Sequence, residues 1–109
     1  MSKPQIKVEI VLPLRYNDKT LIEKVKFTEV YDELLKRFIG YTINPALLSG
    51  NWKSPETGRV YKDEENLGLY IICEDCDSNK EFFTNLKEKL KKKFEQEDIL
   101  MFCSTVQTF

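Results

Sequence analysis

Apolar residues near the start of the chain fall on every second position. Over Gln5 to Leu14 these alternate positions are Ile6, Val8, Ile10 and Leu12. A period of two is typical of a strand that buries one face, so this stretch predicts the first strand. Pro13 has no N–H to donate to a ladder, and pairing should weaken there.

The spacing then changes to that of a helix. Between Phe27 and Phe38 the apolar residues recur three or four positions apart. This predicts an amphipathic helix, with Thr28 as its N-cap and Gly40 as its left-handed stop.

The second half repeats this order of strand and helix. Leu67 to Glu74 is the most apolar strand, and apolar groups on both of its faces predict a central place in the sheet. Ser78 and Glu81 form a capping box that opens a second helix, which runs to about Phe94. Ile99 to Val106 is rich in β-branched and aromatic residues and predicts the last strand.

Between these halves lies a predicted hairpin. Leu47 to Lys53 pairs with Arg59 to Asp63 across a turn that contains Pro55 and Gly58. The acidic stretch from Asp63 to Asn66 predicts a second turn.

The element order is that of a split β-α-β fold. It predicts one α+β domain over residues 1–109, a ferredoxin-like sandwich with a mainly antiparallel sheet. Two helices cover one face of this sheet, and the hairpin is an extra central feature.

Composition narrows the class of protein. The 109 residues are 41% hydrophobic and 32% charged, with a net charge of −1, which is typical of a globular domain and argues against nucleic-acid binding. No apolar run approaches the roughly 20 residues of a membrane span, and the first residues lack the apolar stretch of a signal peptide. Three cysteines without such a signal predict free thiols in the cytoplasm.

The sheet face that the helices leave open should carry apolar side chains. Parity alone leaves open whether Tyr70 and Ile72 or their neighbours in the strand are exposed. An apolar patch of this kind usually marks an interface, and a homodimer that packs face to face would cover it. The alternative is an RNA platform on which aromatic rings stack, which the balance of charge opposes.

Few residues predict chemistry. Cys73 and Cys76 form a C-x-x-C motif that would suit redox or zinc chemistry, with Cys103 as a further thiolate. No histidine is present to complete a metal site. We therefore expect Cys73 and Cys103 to be small apolar residues of strands, and we expect no metal or cofactor. We expect two further charged groups to be solvated surfaces without a binding role: the lysines at the end of the second helix and the acids from Asp63 to Glu65.

The hairpin carries the best candidates for binding. Trp52 and Tyr61 should be near neighbours across it, and Arg59 could stack on the indole ring. The cluster either packs the hairpin against the body or forms a small concave site or partner anchor. With Tyr70 on the sheet, these residues are the candidate binding set.

The central motif also carries a resemblance. Gly50 to Asp63 resembles a loose group of small uncharacterised bacterial proteins with a G-x-W-x-x-P-x-T-G-x-x-Y-x-D-like centre. The resemblance implies a bacterial cytoplasmic protein with a ferredoxin-like fold and assigns no catalytic residue.

Together these patterns favour a non-enzymatic binding or protein-interaction module that forms a homodimer through the open sheet face. The alternative is a small-ligand sensor or small enzyme with a cleft near Trp52, Arg59 and Tyr61. Neither a membrane nor a nucleic acid is expected as a partner.

Overall fold

The computed structural model describes residues 3–109, without the side chains of residues 45–48, 61, 63 and 64. It is a mixed α+β structure whose elements alternate as β-α-β-β-α-β. In chain order they are β1 (Gln5–Pro13), α1 (Lys24–Arg37), β2 (Thr42–Lys53), β3 (Val60–Glu74), α2 (Asp77–Lys93) and β4 (Leu100–Val106).

The four strands form one antiparallel sheet in the order β2-β3-β1-β4. β3 lies inside the sheet, which confirms the central place predicted from its two apolar faces. β1 also lies inside and pairs with β3 from Gln5↔Glu74 to Pro13↔Asn66. Pairing ends at Pro13, as its missing N–H predicts.

Both helices pack on the same face of the sheet. The alternate residues of β1 that were predicted to be buried are all in the core, together with Leu34 of α1 and Leu90 of α2. Leu34 and Leu90 are each at most 1% exposed. The edge-to-face pair of Phe27 and Phe94, with ring centroids 5.2 Å apart, joins the two helices above the sheet.

Register decides which side chains face away from the helices. Tyr70 and Phe102 both lie opposite Glu9, and Ile72 lies opposite Lys7. These residues alternate with the buried set and therefore occupy the open sheet face. Ile72 is 39% and Phe102 47% exposed, which confirms the prediction that apolar side chains would stand on this face.

The predicted hairpin pairing is confirmed, with Lys53 opposite Val60 and Gly50 opposite Asp63, but the hairpin is not a separate element, and the predicted acidic turn from Asp63 to Asn66 is wrong. β2 runs through from Thr42 to Lys53 with two register shifts, and β3 runs unbroken from Val60 to Glu74. The hairpin is thus the outer end of two sheet strands. Its length shows in the largest dimension of the molecule, 49 Å against 29 and 25 Å.

The predicted helix ends are also corrected. α1 begins one turn earlier, after Glu23, and the Thr28 hydroxyl donates to the Lys24 carbonyl inside the helix. α2 begins after Cys76, whose side chain makes no cap hydrogen bond, so Ser78 lies inside the first turn. Gly40 lies beyond the C-cap Phe38, and the glycine with positive φ is Gly58.

Candidate functional site

A cleft forms where the sheet narrows from four strands to two. β1 stops at Pro13, and its pairing with β4 stops at Val11↔Leu100. β3 continues for six more residues, from Asn66 back to Val60, paired with β2 alone. At about 3.3 Å per residue this outer hairpin, residues 48–66, projects by about 20 Å. The space between it and the α2–β4 loop is the cleft.

The cleft has a volume of about 790 Å3. One wall is the outer hairpin, the opposite wall is the α2–β4 loop, and the floor is the end of β1. The residues that line it are Val11, Pro13, Ser49, Gly50, Asn51, Trp52, Lys53, Pro55, Glu56, Asn66, Lys91, Gln96, Glu97, Asp98, Ile99 and Leu100. Because Val11 and Leu100 also belong to the open sheet face, the cleft opens at the end of that face.

The tip of the outer hairpin is a closely hydrogen-bonded turn. Ser54 is 1% exposed, and its hydroxyl accepts the N–H groups of Glu56 and Thr57 at 3.3 Å each. The Gly58 N–H donates to the Ser54 carbonyl at 2.8 Å, and Gly58 has φ of 73°. Since this conformation strains any residue with a Cβ, the turn requires glycine. The turn fixes the position of the neighbouring strand end that carries Trp52 in the cleft wall.

The base of the hairpin is buttressed from the other side by the segment after β1. The Arg15 guanidinium pairs with the Glu65 carboxylate at 2.9 Å, and the Leu14 N–H donates to the Glu65 carbonyl at 3.1 Å. The Lys19 ammonium reaches the Lys62 carbonyl at 3.4 Å. These contacts set the angle at which the hairpin leaves the sheet, and so the width of the cleft.

Charge in the cleft is mixed. Asp98 pairs with Lys87 at 3.1 Å, and Lys91 pairs with Glu88 at 3.4 Å, so both are neutralised from α2. Glu97 has no ion-pair partner within the described part of the chain and is exposed. On the hairpin wall, Lys53 and Glu56 also have no ion pair among the described residues, so Glu97 is the uncommitted carboxylate of the α2–β4 loop and not of the whole cleft.

The structure separates the predicted binding set. Trp52 is half-buried in the cleft wall and lies opposite Tyr61 in the hairpin register, which confirms the predicted pairing. Arg59 is exposed and does not line the cleft. Tyr61 has its side chain outside the described part. Tyr70 lies nine residues along β3 from Tyr61, about 30 Å away, on the open sheet face.

Tyr70 has its own charged neighbour. The Lys7 ammonium lies 4.4 Å from the Tyr70 ring centroid and 3.9 Å from the Glu9 carboxylate. These three side chains form a neutral cluster in the middle of the open sheet face, remote from the cleft.

Sequence patterns gave little sign of three cleft residues. Asn66 is a buried polar residue, 6% exposed, with its contacts made within the chain. Glu97 and Leu100 enter the cleft from the α2–β4 loop. The available signal for Asn66 is a polar residue at the rim of a predicted strand, and the acidic stretch instead predicts that it belongs to a turn.

The C-x-x-C residues do not share one environment. Cys73 is buried in the core, Cys76 is half-buried at the start of α2, and Cys103 is exposed on β4; all three thiols are free. Burial raises the pKa of Cys73, which opposes formation of the thiolate. In the described residues, no cluster of three or more cysteines and acids has metal-site geometry.

The basic end of α2 is largely engaged in ion pairs. Lys93 pairs with Glu29 at 2.7 Å and Lys89 with Glu33 at 2.9 Å, both across to α1. These ion pairs agree with the prediction that the lysines form a solvated helix face. Neither α1 nor α2 is long and apolar enough to cross a bilayer, and no other helix occurs in the described residues.

Comparison with known proteins bears on the fold. No protein-family model matches the sequence, and no curated protein matches it either. The chain is similar to a solved structure of a phage SAM lyase in complex with S-methyl-5'-thioadenosine, with a TM-score of 0.69 and 16% sequence identity. The match covers 96% of this chain and 84% of that one. At this identity, the similarity establishes a shared α+β fold.

Proposed function

We propose that the cleft beside Trp52 binds a small molecule of the adenosine thioether or sulfonium class. The observation that carries this proposal is a cleft of about 790 Å3 with the chain's one tryptophan in its wall. Ligand sites in proteins commonly measure about 300–1,000 Å3. The ligand class comes from the solved relative of the fold, whose structure holds S-methyl-5'-thioadenosine.

The aromatic and apolar parts of the cleft suit a flat base and a thioether. Trp52 supplies an indole ring on which an adenine can stack, and aromatic stacking adds about 0.5–1.5 kcal/mol beyond area burial. Val11, Pro13 and Leu100 supply apolar surface on the floor. An alkylthio group would lose its water there at little cost, because no polar partner is required.

The polar groups suit the rest of such a ligand. Asn51 is exposed on the hairpin wall and can exchange hydrogen bonds with a ribose hydroxyl or an amino group. The Glu97 carboxylate stands on the opposite wall and is free to face a cation. A sulfonium carries a positive charge that a carboxylate and the face of an indole both favour.

A fluorescence titration tests the proposal directly. Trp52 is the only tryptophan, so a change in its emission reports on the cleft. S-methyl-5'-thioadenosine and SAM are expected to change that emission saturably, with micromolar affinity. The absence of any change with either compound up to millimolar concentration would overturn the proposal. Chromatography of the SAM sample for released S-methyl-5'-thioadenosine separates a binding module from a small enzyme.

A matched pair of variants locates the site. Glu97→Gln should weaken binding of cationic SAM by about threefold to tenfold and leave neutral S-methyl-5'-thioadenosine nearly unchanged, because one exposed carboxylate acts through charge. Glu74→Gln is the control, since Glu74 lies at the far end of β3, opposite Gln5. Equal effects of the two variants would contradict the assignment of Glu97.

The open sheet face supports a second candidate function, self-association. Ile72, Leu100 and Phe102 are 39%, 59% and 47% exposed on or beside one surface. The only charges on β1 in this face, Lys7 and Glu9, neutralise each other at 3.9 Å, so covering them would strand no net charge. Two copies packed face to face would form the homodimer that the sequence predicts. Light scattering during size exclusion tests it: if the dimer forms through this face, Ile72→Lys should convert it to a monomer.

The β-α-β-β-α-β order and the strand order β2-β3-β1-β4 also support assignment to the ferredoxin-like class. Three free cysteines fit a protein of the reducing cytoplasm.

A further inference from the structure

β4 is an edge strand without the features that usually protect an edge. Within the described part of the chain it pairs only with β1, so the backbone groups on its outer side are available. Its seven residues, Leu100–Val106, contain no charge and no proline, and its register with β1 is regular. Strands of this kind are templates for pairing with another strand.

The opposite edge of the sheet differs. β2 has two register shifts against β3, contains Pro45 in its sequence and ends in Lys53. Irregular pairing, proline and lysine are devices that block edge-to-edge association. The contrast singles out β4 as the edge that is open to a further strand.

Charge around β4 indicates what kind of strand fits. A groove of about 220 Å3 lies between β4 and α2, with Lys80 and Lys87 at its rim. Lys80 pairs with Asp75 at 3.0 Å and Lys87 with Asp98 at 3.1 Å, so the groove presents no net charge for a charged peptide to match. A neutral strand is the complement, and β4 itself is neutral.

We propose that β4 pairs antiparallel with β4 of a second copy of this chain, with the two-fold axis at Cys103. Cys103 is the middle residue of the strand, with three residues on either side. Leu100 then lies opposite Val106 of the other copy, and Phe102 opposite Ser104. Every cross-strand pair is uncharged, and the two sheets join into one of eight strands.

This pairing also joins surfaces that are exposed in one copy. Cys103 lies opposite the buried Val8 and therefore on the helix side, so the two grooves meet there. Phe102 faces the open side, and the open sheet faces of both copies become continuous. The proposal differs from face-to-face packing because its contact is the edge of the sheet.

Oxidative cross-linking tests the register. Facing residues of an antiparallel pair have Cα atoms about 4.5–5.5 Å apart, within the range that a disulfide spans. Two copper(II)–phenanthroline complexes accept one electron each from the two Cys103 thiols, which lose their protons and form one disulfide. A rapid covalent dimer is expected for the wild type and for Cys76→Ser, and none for Cys103→Ser. Cross-linking through Cys76, or none at all, would overturn the register.

Light scattering on two charge variants then separates edge pairing from face packing. Thr105 lies opposite Ile6, so Thr105→Lys places a cation on the helix side of β4, opposite Met101 of the other copy in the proposed register, and should give a monomer. Ile72→Lys on the open sheet face should leave the dimer intact. Thr28→Lys, at an exposed threonine of α1, is the control and should also stay dimeric. A monomeric wild type, or a dimer that survives Thr105→Lys, would overturn the proposal. If both Thr105→Lys and Ile72→Lys are monomers, the Cys103 cross-link of the wild type decides between the two interfaces: its presence supports edge pairing, and its absence overturns it.

Discussion

Pro13 lies opposite Asn66 at the last rung that β1 shares with β3. β4 has already stopped at Val11↔Leu100, and beyond the Pro13 rung β1 ends too, while β2 and β3 continue as the outer hairpin. Asn66 is therefore the point at which β3 changes from an inner strand to one side of a two-stranded ribbon. It is buried, and it lines the cleft that this change creates.

Replacing Asn66 by alanine should destabilise the fold. The residue is buried, and no buried side-chain polar atom of the described residues lacks a hydrogen-bond partner, so truncation to alanine should cost about 1–3 kcal/mol. Urea unfolding measures this change in the free energy of unfolding. Asn51→Ala is the control in the same cleft, because Asn51 is exposed and its loss should cost no more than about 0.5 kcal/mol. Equal costs would contradict the role of Asn66 at the junction.

Neighbouring leucines on α1 should respond in opposite ways. Leu34 is 0% and Leu35 51% exposed, so only Leu34 packs between helix and sheet. Leu34→Ala should cost about 2–5 kcal/mol through lost burial and the cavity left behind. Leu35→Ala should stay within about 0.5 kcal/mol of the wild type. Thermal and urea unfolding of both variants measure the difference. A large loss of stability in Leu35→Ala would contradict the assignment of the Leu34 side of α1 as the buried side.

The layered fold could be predicted because burial on one face forces a period on the sequence. Alternation over β1 and helical spacing around Leu34 and Leu90 gave the right elements and the right shared face. The acidic residues of β3 mislead, because several acids in a row predict a turn where the strand in fact continues. In a two-stranded ribbon much of each strand faces water, so a strand can carry charges that a central strand excludes.

The cleft could be predicted only in part. Trp52 was recognisable by its residue type in a hairpin. Leu100 and Glu97 reach the same cleft from more than forty positions further along the chain. They meet Trp52 only because β1 stops at Pro13, and no local pattern encodes that meeting.

Glycine at the hairpin tip should be required, unlike glycine after α1. Gly58 has φ of 73°, a conformation that costs a residue with a Cβ about 1–2 kcal/mol. Gly58→Ala should therefore lower the free energy of unfolding by about 1 kcal/mol. At Gly40 a Cβ would meet nothing within 4 Å, and φ is not positive, so Gly40→Ala should be neutral or stabilising by up to about 1 kcal/mol. Chemical denaturation compares the two, and a stabilising Gly58→Ala would contradict the turn geometry.

A hydrogen-bonded cluster beside α1 should make stability depend on acid pH. The Tyr16 hydroxyl donates to the Glu23 carboxylate, and this bond holds the pKa of Glu23 below its ordinary value. Because the pKa is lowered in the folded state, the stabilisation is present above the ordinary pKa of a glutamate and is lost as pH falls through the lowered one.

Tyr16→Phe removes the donor of that bond. The difference in free energy of unfolding between wild type and variant should therefore be largest near neutral pH and shrink towards about pH 3. Urea unfolding at several pH values measures it. Tyr41→Phe serves as the control, since Tyr41 stacks on Tyr31 with ring centroids 5.0 Å apart and the stack does not need its hydroxyl. A difference that grows on acidification would contradict the assignment.

The three cysteines should react with a thiol reagent in a fixed order. Cys103 is exposed and should react first, Cys76 is half-buried and should follow, and Cys73 is buried in the core and should react last. Burial also raises the pKa of Cys73, so little thiolate exists there at neutral pH. A raised pKa in the folded state favours the protonated thiol, so the contribution of Cys73 to stability is lost as pH rises through that pKa. Labelling of Cys73 should therefore accelerate at alkaline pH. Mass spectrometry of peptides from time-resolved labelling measures the order, with Cys73→Ala to assign its peak. Early labelling of Cys73 at neutral pH would show that the thiol is outside the core.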